Sequence, residues 1–316
     1  MGVPRTAFRR SLDELYDYID AEIPLGLLRS GDLYWVDSAT GTDSVNNGTF
    51  DKPFATLDYA IGACTANNGD YILIKQNHAE TITGVGGITA DIAGITIIGL
   101  GNGAQRPRFL MDGAATVTFA VTGADTTIRN CVFAAGHADV ATCFDLDAVG
   151  FTLLECEFVE NVADENFLAI ITSGSVTDNV CDGLKAIGNV VYQIDASATN
   201  FILKLGDADD WIIAQNFVCQ PAATLGQFLL DTAGDDFGNL FAAWNFHVGL
   251  TGDSVDVFID NDQADNSGFV AHNRSSHNDT DARIMVDVDG VGLFDNLNTS
   301  VTSASGFVLP VIDVDL

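Results

Sequence analysis

From residue 114 onward the chain alternates between two kinds of short apolar segment. One kind ends near an Asn or Glu: TTIRNCVF, FTLLECEF, LKAIGNVVY, WIIAQNFV, LFAAWNFHV, GFVAHNRS and VGLFDNLN. The other kind lies between these: TVTFAVTG, TCFDLDAV, FLAIITSG, FILKLGDA, FLLDTAGD, VDVFIDND, RIMVDVDG and a final GFVLPVID. Each alternates or runs apolar for a few residues and is then broken by Gly, Asp or Asn, which is how short β-strands are punctuated. The polar marker falls at Asn130, Glu155, Asn189, Asn216, Asn245, Asn273 and Asn296, at intervals of 23 to 34 residues. A period of that size with two or three short strands per repeat predicts a stacked solenoid. Helical repeats are excluded, because no segment after residue 63 keeps a helical period over three turns.

In a wound stack each coil lies about 4.8 Å above the last. About eight coils would therefore make a rod on the order of 40 Å long. Like side chains should then pile above one another. Phe144, Phe167, Phe201, Phe228 and Phe258 are expected on one inner wall, and Ile128, Leu153, Ile187 and Ile213 on another. Asn130, Asn189, Asn216, Asn245, Asn273 and Asn296 are expected to form an internal ladder, because stacked side-chain amides can bond along the axis and satisfy turn backbone groups.

The segment ahead of the strands reads differently. In SLDELYDYIDAEI, residues 11–23, Ser11 and Glu14 fit a capping box. Leu12, Leu15, Tyr16, Ile19 and Ile23 share one helical face, opposite Asp13, Asp17 and Asp20, and Pro24 stops the helix. So short a helix is not stable alone. It must cap the open end of its own stack or anchor the chain on a partner, and the sequence leaves both open. With the basic Arg5, Arg9 and Arg10 beside Phe8, the set Arg5, Phe8, Arg9, Arg10, Leu12, Leu15, Tyr16 and Ile19 forms the candidate assembly surface. The expected organisation is a basic arm and helix over 1–30, first coils over 31–113, and repeated coils over 114–316.

Residues 33–108 carry a more specific pattern. A strand is followed by D-x-x-x-G-x-D at Asp37, Gly41 and Asp43, then by Gly48–Thr49 and Pro53–Leu57 opening a short helix. Gly69–Asp70, Ile72, Ile74, Glu80–Ile82 and Gly94–Gly99 complete it. This order resembles the opening of the pectate-lyase-like parallel β-helix superfamily, most of all its bacteriophage- and virion-encoded members. The resemblance implies an all-β, right-handed, single-stranded parallel β-helix behind a short N-terminal α-helical segment. It also implies a homotrimer of parallel rods. Fold does not fix function.

Charge narrows the partners. The net charge is −31, from 44 acidic and 13 basic residues. Residues 200–316 hold only Lys204, Arg274 and Arg283 as bases. Such a surface should repel nucleic acid and anionic membranes and attract divalent cations or basic partners. The apolar runs Ile95–Leu100 and Phe167–Ile171 are far shorter than a membrane span. Six cysteines without a CxxC pair read as small buried hydrophobes rather than zinc ligands.

The resemblance raises polysaccharide cleavage, but the motifs of the pectin-degrading hydrolases are not reproduced. There is no Gly-His-Gly after an Asp pair and no Arg-x-Lys. Asp209–Asp210 and Asp235–Asp236 are adjacent pairs that stacking would bring together. Solvated turn acids, a calcium site with oxygen ligands, or a catalytic pair are the three readings of that quartet. Apart from this calcium, no cofactor is expected. The expectation is a non-enzymatic structural virion protein of a tailed phage, a capsid decoration or fibre-like rod on the virion surface. It would be held through its N-terminal segment by a capsid or tail protein. The alternative is a tailspike-type adhesin or depolymerase acting on a host surface glycan.

Overall fold

The computed structural model describes residues 31–173, 180–194, 199–224, 228–231, 236–251, 257–261, 266–277, 284–288, 290–300 and 309–310. The helix expected over 11–23 lies outside them. The described chain is almost entirely short strands wound into three long sheets. Sheet I has ten strands, beginning with Leu33–Val36 and ending with Val291–Phe294. Sheet II has eight, from Ile88–Ala90 to Ile284–Val288. Sheet III has ten, from Ala79–Thr83 to Leu309–Pro310. Within each sheet neighbouring strands come from successive coils, and they pair parallel throughout except at the last step of sheet III. There Leu309–Pro310 runs antiparallel to Leu297–Ser300. The expected parallel β-solenoid is therefore the fold. Sheet I runs without a break from the first coils into the repeated ones, as Thr96–Gly99 pairs with Thr127–Arg129.

Register explains the core. In sheet I the inward column is Ile97, Ile128, Leu153, Ala186, Ile213, Ala242 and Val270, each opposite the next. Ile187, expected on this wall, is one residue off; Ala186 takes the inward place and Ile187 faces out beside Leu154. In sheet II the column is Ile88, Phe119, Phe144, Ile171, Ile202, Leu229 and Ile259. Phe144 thus stacks on Phe119 and Ile171, while Phe167 sits opposite Val140 one turn earlier. Phe201 and Phe228 form their own pair at 5.0 Å. All four rings are buried, as expected; the side chain of Phe258 lies outside the described residues. In sheet III Phe109, Phe133 and Phe158 stack nearly parallel at 5.4 and 5.6 Å. Offset stacking at this spacing follows from the coil rise and adds to the burial of each ring.

The first coils show what the family-like motif does. Asp37 accepts from Ala39 N, and Asp43 accepts from Ala55 N at 2.8 Å and from the Thr56 hydroxyl at 2.9 Å. A side chain at Gly41 would overlap the carbonyls of Phe54 and Asp37. Thr56 is the N-cap of helix α1, Leu57–Ala63. Asp70, fully buried, accepts from Asp32 N, Thr65 N and Asn68 Nδ2. The motif residues therefore fold a loop and start a helix. That helix buries Leu57, Ala60 and Ile61, and its Asp58 accepts from Thr89 N on the end strand of sheet II. It covers an edge that would otherwise invite pairing. Among the described residues no helix is long and apolar enough to cross a membrane.

Candidate functional site

The assembly set Arg5, Phe8, Arg9, Arg10, Leu12, Leu15, Tyr16 and Ile19 lies outside the described residues, as does Asp235. The remaining candidate positions fall in two places, the internal ladder and the acidic turns, and the structure adds a third, an outer apolar face.

The ladder runs through Asn189, Asn216, Asn245, Asn273 and Asn296, all buried. The Nδ2 of each of the first four donates to the Oδ1 of the next at 3.0 Å. The same Nδ2 also donates to a strand carbonyl of an earlier coil: Leu153, Ala186, Ile213 and Ala242 in turn. Asn130 does not belong to it. Its φ is +59°, and its Nδ2 donates to the carbonyls of Gly99 and Gly101. It occupies the left-handed turn position shared by Glu155, Gly188, Gln215, Trp244, His272 and Asp295, all at positive φ. The inward position after it is held by Cys131, and after Glu155 by Cys156, whose backbone N donates to Asn189 Oδ1. From Asn130 onward each corner from sheet I to sheet III is thus one left-handed residue followed by one inward Cys or Asn.

The acidic turns precede the strands of sheet I, at the edge away from that corner. Their carboxylates are used by backbone groups of the next coil. Asp182 Oδ1 accepts from Asp209 N at 2.9 Å, and Asp207 Oδ1 accepts from Asp236 N at 2.8 Å. Asp210 Oδ1 accepts from Asn239 Nδ2 at 3.1 Å. Asp209 leans over Gly238, its register partner, where any side chain would collide with its carboxylate. Burial pushes the Asp182 carboxyl above its ordinary value, with the charges of Asp209, Asp210 and Asp207 adding to the rise. Asp209, Asp210 and Asp236 are therefore near one another, but among the described residues no group of three or more His, Cys, Asp or Glu is placed to hold a metal ion. A cleft of ≈ 550 Å³ between the 42–54 loop and helix α1 is lined by Tyr34, Phe54 and Tyr59, with Asp58 as its acid. Asp58 is engaged by Thr89 N.

The outer face was not anticipated. Trp244 and Phe294 are half exposed beside His272; the indole stacks on the imidazole at 5.5 Å, and Phe294 meets its other side edge-on at 5.2 Å. His272 Nδ1 and the Arg274 guanidinium lie 2.9 and 3.1 Å from Asp295 Oδ2. The bond from His272, then that from Arg274, holds the Asp295 carboxyl below the usual range. The strands alternate apolar and polar too weakly here for exposure to be read from sequence.

No protein-family profile matches the chain, and no curated protein matches it. Among solved structures it is similar to a rhamnogalacturonan lyase, at 16% identity and a TM-score of 0.41, over 84% of this chain and 87% of that one. It is also similar to the GH136 lacto-N-biosidase of Eubacterium ramulus, at 12% identity and a TM-score of 0.35, over 92% of this chain and 70% of that one. At these values no residue role passes from either enzyme to this chain.

Proposed function

We propose that this chain is a non-enzymatic structural component of a tailed-phage particle: a stiff rod on the virion surface, a decoration or fibre-like protein held by a capsid or tail protein through its N-terminal segment. The observation that carries this reading is the continuity of the interior. Asn189 to Asn296 are bonded end to end up the axis, beside unbroken apolar columns. A body in which every coil is locked to the next resists bending and local opening. Its carboxylate turns serve the same end, since Asp182 and Asp207 each bind the backbone of the following coil. The virion-encoded flavour of the 33–108 motif and the basic arm at Arg5, Arg9 and Arg10 favour a particle as the setting. The rod would wind right-handed, the hand that parallel crossovers adopt.

The test is incorporation. Antibody labelling of purified particles should find the full chain on the surface. A chain lacking residues 1–24 should keep the circular-dichroism spectrum of a β-protein yet be missing from particles. Incorporation of the truncated chain would refute the anchor. Cleavage of host capsule by the purified protein, lost in Asp209→Ala or Asp235→Ala, would replace this reading with the depolymerase.

A further inference from the structure

Three Asn-Gly pairs stand in the chain: Asn47–Gly48, Asn68–Gly69 and Asn102–Gly103. Such a pair can react with itself. The backbone N of the glycine attacks the carbonyl carbon of the Asn side chain, a succinimide ring closes, and the side-chain nitrogen leaves as ammonia. Water then opens the ring at one of its two carbonyls, which gives either Asp or its isoaspartyl isomer. Glycine favours the attack because no Cβ screens its nitrogen. Both reacting groups must still be free to meet, so the fold decides which pair reacts.

Two of the pairs are held. Asn47 donates from Nδ2 to Thr42 O at 2.6 Å, and Gly48 N, the nucleophile, donates to Lys52 O at 2.7 Å. Gly48 is buried against the rings of Phe54 and Tyr34. Asn68 donates from Nδ2 to Asp70 Oδ1 at 2.7 Å. Asp70 is itself fully buried and fixed by Asp32 N and Thr65 N. A bond to a charged acceptor is stronger than one between neutral groups. Gly69 also packs so closely on Gly31 that a Cβ on the latter would meet its carbonyl at 2.4 Å.

The third pair is free. Asn102 and Gly103 are both exposed, on the corner between Thr96–Gly99 of sheet I and Arg108–Asp112 of sheet III. A Cβ placed on Gly103 would touch nothing within 4 Å. Among the described residues no hydrogen bond holds the Asn102 side chain, and Gly103 N donates to no carbonyl. The approach rotates the peptide between them, and one turn bond, from Gln105 N to Asn102 O at 3.1 Å, opens as it does so. We propose that Asn102 is a site of spontaneous deamidation in the native protein, converted through a succinimide with Gly103 to aspartate and isoaspartate, while Asn47 and Asn68 are preserved by their bonds. Conversion places a new carboxylate on the turn that carries Arg106. In the isoaspartyl form it also adds a methylene to the main chain at the corner. The strands on either side keep their own pairing, Thr96–Gly99 with Thr127–Arg129 and Arg108–Asp112 with Val132–Ala135, so the rod survives. Release of ammonia makes the change one-way, and the modified fraction rises with time since synthesis. The chemistry is the same whether or not the rod sits on a particle.

The test is peptide mapping of the full chain by tandem mass spectrometry during storage in warm buffer at pH 8, with fragmentation that separates isoaspartate from aspartate. Asn102 should convert about tenfold or more faster than Asn47 and Asn68, the factor by which the bonds that must first open slow those two sites. In denaturant the three rates should converge. Asn102→Gln, whose longer side chain would have to close a larger ring, should lose the fast phase and keep the β spectrum. Native rates that are equal at the three pairs, or fastest at Asn47 or Asn68, would overturn the proposal. So would an Asn102 that converts more slowly in the native chain than in the denatured one by as much as the other two do. A preference for Asn102 that persists undiminished in denaturant would overturn it as well, since it would then belong to the local sequence and not to the fold.

Discussion

The side-chain oxygen of Asn245 accepts two hydrogen bonds from Asn216, one from its backbone N and one from its Nδ2, both at 3.0 Å. Asn245 in turn gives its Nδ2 to Ile213 O at 2.9 Å and to Asn273 Oδ1 at 3.0 Å. One buried amide therefore ties together three successive coils, and every donor and acceptor of its side chain is used. Inside the rod, where no solvent competes, such a chain is worth more than its separate bonds.

Removing a rung should be costly. Asn245→Ala strands two donors of Asn216 and two acceptors, and a buried group left without a partner costs about 1–3 kcal/mol. A loss of about 3 kcal/mol or more is expected, read as a lower denaturant midpoint. Asn130→Ala, in the half-buried turn outside the ladder, should cost less than about half of that.

The stacked rings make a second test. Phe133 lies between Phe109 and Phe158 and also meets Phe144 edge-on at 4.9 Å. Phe133→Ala should destabilise by about 3–5 kcal/mol, the usual cost of emptying an aromatic site in a packed core. Measured in the same denaturant titration, Val45→Ala, at a side chain 87% exposed, should change stability by less than about 0.5 kcal/mol.

Acid should stabilise the rod before it harms it. Burial raises the carboxyls of Asp182 and Asp145, aided in Asp182 by its neighbours Asp209, Asp210 and Asp207 and in Asp145 by Asp147. A carboxyl whose folded pKa is raised binds its proton more tightly in the native state. Its penalty is therefore full above the folded value and fades as pH falls through that value toward the ordinary 3.8. The melting temperature in low salt should rise as pH falls through the raised values of Asp182 and Asp145 toward 3.8. Asp182→Asn, which keeps an acceptor for Asp209 N, should raise it at pH 7 and flatten the slope. Asp295 works the other way, since its lowered carboxyl gives support that is lost as pH falls from 3.8 through its depressed value.

Thiol reactivity should follow burial. Cys131, Cys143 and Cys156 are buried, and burial pushes Cys156 and Cys64 up to about 12. At pH 8 a thiol reagent should modify half-exposed Cys219 first and leave the other five until denaturant is added. Fast labelling of Cys131 or Cys156 in the native protein would place the corner inside out.

Much of this was legible in the residues, and the misses have physical causes. Apolar segments broken by Asn and Gly announced parallel coils, and the Asn residues from 189 onward announced their own ladder. The slip at Asn130 arose because two polar-tolerant positions lie side by side at each corner. One is left-handed and favours Asn or Gly; the other is inward and takes Cys or Asn. Where Cys131 and Cys156 fill the inward place, the neighbouring Asn130 and Glu155 look like rungs. Ile187 was misplaced for a related reason, since Ala186 is a weak apolar signal beside it. The outer face stayed hidden because Phe217, Phe246 and Phe269 look like core residues in a strand that carries apolar side chains on both faces. The acidic pairs were visible as pairs, but the bonds from the backbone N–H groups of Asp209 and Asp236 to the carboxylates of Asp182 and Asp207 one coil away leave no mark in sequence.

The central claim is that residues far apart in sequence lie on one column, each coil a single sheet spacing above the last. Spin labels placed on the sheet I column test it directly, in a Cys219→Ser background diluted with unlabelled chain. Thr96 and Lys185 are three register steps apart, and Thr96 and Phe269 six. The label pairs should read about 14 Å and about 29 Å, growing by about 5 Å per coil. Distances that fail to grow with coil number, or that place Phe269 as near to Thr96 as Lys185 is, would contradict the wound stack.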